Sequence, residues 1–129
     1  MKNLFKKGFF LLAKNVSKYS TMDKKLGAVI VRKKPISIGF NVDKSHPVLN
    51  GLSWTTHAEC KAFYNAGWFG NTIGCSIYVY REHADGTPAM SRPCSNCIGL
   101  LTSAGIKKMY YTTNEHPYWK CEKLPLTSR

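Results

Sequence analysis

Apolar residues recur along this chain with two periods, and the switches between them mark its elements. Phe5, Phe9, Leu12, Val16 and Tyr19 fall at helical spacing, with Lys7, Lys14 and Lys18 on the opposite side. Residues 3–19 therefore read as an amphipathic helix whose apolar stripe faces a core rather than a membrane, although Gly8 weakens it. Leu26 to Arg32 is a β run, Lys33-Lys34-Pro35 a turn and Ile36 to Phe40 a second run, which together predict a hairpin. Asn41 to Thr56 is a polar loop, long for a compact domain, and long loops either line sites or lack structure. Thr55 or Thr56 can cap a helix from about His57 to Ala66, which Gly67 stops. Cys75 to Tyr80 is a third strand and Arg81 to Arg92 a second loop. Pro93 opens a helix that Cys94 to Ala104 continues and Gly105 ends. Ile106 to Thr112 is a fourth strand, Asn114 to Pro117 a turn, and Tyr118 to Leu124 a fifth strand. Strands alternating with helices imply an α/β sheet covered on both faces.

Composition narrows the class. The chain of 129 residues reads as a single domain, 1–129, large enough to bury a core without staples. At 43% apolar it is no disordered tail. The longest apolar run near the start, Gly8 to Ala13, is far short of a membrane span and of a secretory signal, so the expectation is a soluble, cytoplasmic protein without a membrane partner. The five cysteines are an odd number, which argues against a disulfide framework. A Cys-x-x-Cys pair in such a protein binds metal or is redox-active.

The net charge is +12, and residues 1–34 alone carry +9, from ten bases and one acid. A basic end implies an anionic partner (nucleotide, nucleic acid or membrane surface) or simply a solvated lysine-rich face.

The chemistry concentrates in two short segments, His57-Ala58-Glu59 and Pro93-Cys94-Ser95-Asn96-Cys97. Each is weak alone. Each also opens an expected helix after a strand and loop, and as a pair they are specific. A catalytic zinc takes three protein ligands and leaves a fourth position for water. His57, Cys94 and Cys97 supply three, and Glu59 stays available as a proton shuttle. Cys94 and Cys97 share one helix face, where the positive helix terminus helps hold thiolates. Cys60 is the one candidate for a fourth, closing ligand; its other reading, shared by Cys75 and Cys121, is a small core side chain.

His-x-Glu followed by Pro-Cys-x-x-Cys is the signature of zinc-dependent nucleobase deaminases. On that motif the chain resembles the cytidine/deoxycytidylate deaminase superfamily over about residues 25–113. Leu26-Gly-Ala-Val-Ile-Val and Ile38-Gly-Phe-Asn41 are similar to the family's opening hairpin, and Ser103 to Tyr111 to the segment after its second zinc helix. The resemblance implies a three-layer α/β/α domain around a five-stranded mixed sheet, a Zn2+ cofactor, Glu59 as the catalytic group and a homo-oligomer. It also implies that Asn41 contacts substrate, where the alternative is a strand-end turn residue, and that Ala58 offers a backbone contact to the base. Two features depart from the deoxycytidylate pattern. The tail after Thr112 is too short for a helical crossover to a parallel strand and fits a C-terminal hairpin instead. The loop Val42-Asp-Lys-Ser-His-Pro also differs.

Three functions compete. The first is hydrolytic deamination of a free cytosine nucleotide or nucleoside, foremost of the deoxycytidylate type, with Lys44, Lys61, Arg81 or Arg92 available to a 5′-phosphate. The second is deamination of cytosine in single-stranded DNA or RNA, with Trp54, Trp68, Phe69 and Tyr118 as stacking platforms beside the basic end; the other reading of those aromatics is core or subunit interface. The third is a zinc-stabilised nucleic-acid-binding module without catalysis, which would have no use for Glu59.

Overall fold

Strands form where the chain runs apolar without interruption or alternates with period two. The structure, a computed structural model, describes residues 4–20, 24–41, 58–66 and 71–125. In chain order the elements are α1 (Leu4–Ser17), β1 (Leu26–Val31), β2 (Pro35–Phe40), α2 (Ala58–Asn65), β3 (Ser76–Arg81), α3 (Ser95–Ser103), β4 (Lys108–Thr112) and β5 (Trp119–Lys123). The strands form one sheet in the order β2-β1-β3-β4-β5. β1 is antiparallel to β2 and β3, β3 is parallel to β4, and β4 is antiparallel to β5. The five-stranded mixed sheet and the C-terminal hairpin are thus as expected. No helix among the described residues is long and apolar enough to cross a membrane.

The unbroken apolar runs of β1 and β3 belong to strands buried on both faces. Alternation divides their side chains between two cores. Ala28, Ile30, Ile77, Val79, Met109 and Tyr111 meet Ala58 and Ala62 of α2 and Ile98 and Leu101 of α3. Val29, Val31, Tyr78, Tyr80 and Tyr110 meet Phe10 and Ala13 of α1. On the α1 side Tyr78 and Tyr110, neighbours across the parallel β3–β4 pair, stack with ring centres 4.3 Å apart. Burial pushes the Tyr78 hydroxyl well above its ordinary pKa.

Connection handedness explains the layers. β2 leads through α2 to β3, and β3 through α3 to β4, each step moving in the same direction across the sheet. Right-handed crossovers in one direction place both helices on one face, and both helices then begin at the carboxyl edge of the strands that feed them. α3 ends as Gly105 predicts. Gly105, at φ 81°, donates its N–H to Thr102 and is followed by Ile106 donating to Leu101, a Schellman closure.

Three expectations are corrected. Tyr19, placed on the helix's apolar stripe, is 70% exposed, because the helix stops at Ser17. The buried line of α1 runs through Phe10, Ala13, Val16 and Ser17, while Phe9 and Leu12 stand half-buried at its margin. Small residues face β1 because the helix backbone lies almost on the strand. Cys121, expected as a core side chain, is exposed, since β5 is an edge strand and α1 packs on β1, β2 and β3; Cys75 is buried as expected. Finally, the start of the loop after β3 is a small β-ribbon. Glu82 bridges Pro88, His83 N–H donates to Thr87, and the Asp85 carboxylate accepts from the Thr87 N–H and hydroxyl. Asp85-Gly86 is the turn chemistry behind it.

Gly27 makes the α1 contact possible. A Cβ there would lie 2.1 Å from the Ala13 carbonyl oxygen and 2.6 Å from the Ser17 nitrogen, both backbone atoms that cannot swing aside. Gly27→Ala should therefore cost about 3 kcal/mol, the upper end for overpacking. Thermal unfolding should show this as a fall in Tm of roughly 10 °C; an unchanged Tm would mean that α1 does not sit on β1 as described.

Candidate active site

Open α/β sheets bind ligands outside the carboxyl ends of their strands. Here that edge gathers Asn41 just after β2, Arg81 at the end of β3 and Thr112 at the end of β4, together with the first residues of α2 and α3. Ala58, the first residue of α2, is fully buried, and its N–H is among those a helix start leaves without an intrahelical acceptor. Glu59 follows it in the first turn. His57 and the Glu59 side chain lie outside the described residues, as do the side chains of Cys60 and Lys61 and the residues Lys44, Trp54, Trp68 and Phe69.

Cys94 is the N-cap of α3, with extended backbone at φ −70° and ψ 167°, and its carbonyl accepts the Ile98 N–H at 2.8 Å. Its side chain makes no cap hydrogen bond. Cys97, one turn on, is buried together with Ile98 and Leu101, whereas Cys94 is exposed. The pair thus places one thiol under the helix and one at its open end, at a positive helix terminus. Two thiols at i,i+3, beside the start of the helix that His57 immediately precedes, suit a zinc ion in donor type and spacing. Among the described residues no three metal-ligating side chains come together, the third expected ligand being His57.

Asn41 is buried and anchors the strand opposite it. Its Oδ1 accepts the Leu26 N–H at 2.9 Å, its Nδ2 donates to the Lys24 carbonyl at 2.8 Å, and its own carbonyl accepts from the Ser20 hydroxyl at 2.8 Å. The turn role is therefore real, and the amide keeps one N–H beyond the bonds described here. Leu26 pairs in turn with Arg81, so Asn41 and Arg81 flank one strand end. Arg81 donates from one terminal nitrogen to the Met90 carbonyl at 3.2 Å, and its Nε is buried with no hydrogen-bond partner among the described residues.

The approach to Cys94 is held by contacts that sequence reading missed. Ser91 Oγ donates to the Val79 carbonyl at 3.0 Å and accepts the Thr112 N–H at 2.8 Å, and the Ser91 N–H donates to the Thr112 carbonyl at 2.9 Å. The Thr112 hydroxyl donates to the Ala89 carbonyl at 2.6 Å and accepts the Arg81 N–H at 3.2 Å. These buried bonds seat residues 89–91 across the ends of β3 and β4. Next, Arg92 reaches β5, where Nε and a terminal nitrogen donate to the two carboxylate oxygens of Glu122 at 2.6 and 3.1 Å. The Tyr111 hydroxyl donates to the same carboxylate. Hydrogen bonding from Arg92 holds the Glu122 carboxyl below its ordinary range. Burial, followed by the bond to Glu122, pushes Tyr111 up to about 12. Arg92, a candidate for a substrate phosphate, is thus already engaged. Only the Asp85-Gly86 turn left a local sequence signal for any of this.

The comparisons with known proteins bear on the fold and the family. No curated protein sequence is significantly similar to this chain. Among solved structures, the apo dCMP deaminase of cyanophage S-TIM5 is 24% identical, with 88% of this chain and 86% of that chain covered and a TM-score of 0.64. The same enzyme in complex with dCMP and dUMP is 22% identical, with 88% and 84% covered and a TM-score of 0.64. Cytidine deaminase from Burkholderia pseudomallei is 21% identical, with 91% of each chain covered and a TM-score of 0.65. These likenesses show the fold. A sequence model described as the cytidine and deoxycytidylate deaminase zinc-binding region matches residues 5–113. The chain therefore belongs to the cytidine and deoxycytidylate deaminases, a family of zinc-dependent hydrolases.

Proposed function

We propose that the protein deaminates a free cytosine nucleotide of the deoxycytidylate class, releasing ammonia and leaving uracil. The observation that carries this reading is the meeting of two helix starts, bearing Ala58-Glu59 and Cys94-x-x-Cys97, at the strand edge where Asn41 stands. His57, Cys94 and Cys97 would hold zinc, which when bound supplies a nucleophilic water at neutral pH. Glu59 takes one proton as the water oxygen bonds to C4 of the base and delivers it to N3, then carries the second proton from the new C4 hydroxyl to the departing amino group. The C4–N bond breaks, ammonia leaves, and C4 keeps the oxygen as a carbonyl. The Ala58 N–H and the remaining Asn41 amide N–H would orient the substrate.

Charge placement supports a small substrate over a polynucleotide. α1 packs on the sheet face opposite α2 and α3, so that helix stands across the sheet from Cys94 and Cys97. Its Lys14 faces Glu82 at 3.9 Å. The solved cyanophage enzyme, in complex with dCMP and dUMP, supports the nucleotide reading by analogy of fold. An exposed Tyr118, stacked beside His116, is the described feature that favours the single-stranded nucleic acid alternative.

Ammonia release should be measured on cytidine, deoxycytidine, their phosphates and single-stranded oligonucleotides. A free nucleotide should be the best substrate, and higher kcat/KM on oligonucleotides would overturn the assignment. Glu59→Gln should keep its zinc while turnover falls by a factor of about 10² to 10⁴, the usual contribution of a general acid–base group. Metal analysis of Cys97→Ser should find zinc lost from a chain that otherwise holds one ion. Salt supplies an independent check. Between 50 and 200 mM, kcat/KM should fall by less than about tenfold for one or two phosphate contacts, against orders of magnitude for a polynucleotide.

A further inference from the structure

We propose that Glu122 is a positioning residue for the zinc-binding thiols, acting through Arg92 on the backbone that delivers Cys94 and Cys97. The inference rests on the reading that those two cysteines hold the zinc.

The segment entering α3 is pinned on one side by Ser91, whose hydroxyl and N–H are both tied to β3 and β4. Hydrogen bonds at Ser91 alone leave the chain free to pivot about the bonds that follow it. Arg92 supplies a second point, immediately before the buried Pro93 and two residues before Cys94. Its guanidinium meets Glu122 through two parallel N–H···O bonds, at 2.6 and 3.1 Å, so the orientation of the planar group is set as well as its distance. The carboxylate in turn is held by the Tyr111 hydroxyl. A lone surface ion pair between long side chains is loose. This one is bidentate, and its carboxylate is anchored to the neighbouring strand.

The register of β5 puts Glu122 there. Met109 lies directly across from Glu122, and Tyr111 across from Lys120, so Glu122 shares the face of Met109 and Tyr111 that α2 and α3 cover. A slip of one residue would turn Glu122 to the α1 face, away from Arg92. β5 thereby connects to the metal segment through the Arg92–Glu122 pair. Residues that orient metal ligands from outside the coordination shell commonly change metal affinity by 10- to 100-fold when removed.

The test is zinc affinity, measured on the full chain by competition with a chromophoric chelator at a temperature where melting shows each apo variant folded. Glu122→Gln and Arg92→Gln should each weaken zinc about tenfold or more. The double variant should be no weaker than the worse single, because both break one link. Arg92→Lys keeps the charge but loses the fork, and should weaken zinc as Arg92→Gln does. Should Glu122→Gln not fold, Tyr111→Phe takes its place; removing one hydroxyl bond should weaken zinc measurably and less than Arg92→Gln. Zinc affinity within twofold of wild type in these variants, additive losses in the double, or full rescue by Arg92→Lys would overturn the proposal. Cys97→Ser, run alongside, separates the two readings. If it retains wild-type zinc affinity, the ligand assignment itself falls; if it loses zinc while Glu122→Gln does not, only the positioning role falls.

Discussion

Everything at the candidate site depends on the handedness of two crossovers. A right-twisted strand followed by a helix packs back on its sheet in one sense only. Because β2→β3 and β3→β4 step the same way, α2 and α3 must lie side by side on one face and start at one edge. Residues far apart in sequence, Ala58 and Cys94 to Cys97, are brought to the same place by that rule before any side chain acts. α1, which precedes the sheet, is left the other face. It can close on β1 only because Gly27 has no side chain.

Within that frame the site is held by polar contacts rather than apolar ones. The apolar cores fix strands and helices, yet the segment leaving β3 must run to α3 through a region where backbone groups would otherwise be buried without partners. Ser91 and Thr112 resolve this, each as donor and acceptor at once. An unpaired buried donor or acceptor costs about 1–3 kcal/mol, so this seat has few alternatives. The Arg92–Glu122–Tyr111 group extends the same logic to the surface. Asn41 follows the same logic: its amide holds the start of β1 at the strand edge where α2 and α3 begin.

Much of this was legible in the sequence because it is local. Periods of two and 3.6, Gly105 as a helix stop and the turn residues Asn114 to Pro117 yielded the elements, their types and the final hairpin. The two short motifs pointed to zinc chemistry through their resemblance to the deaminase signature, which donor types and i,i+3 spacing on a helix start are consistent with. What only the tertiary structure decided is which side of each element faces what. The buried line of α1 turned toward Ala13 and Ser17 because of how closely the helix meets Gly27, a contact between positions with no shared pattern. Cys121 is exposed because β5 is the sheet's edge, and strand order is not written in any one strand. Ser91, Thr112, Arg92 and Glu122 carry no local signature either. Their pairing comes from strand register and crossover geometry, which join side chains up to thirty residues apart, and a one-dimensional pattern has no means of expressing such a distance.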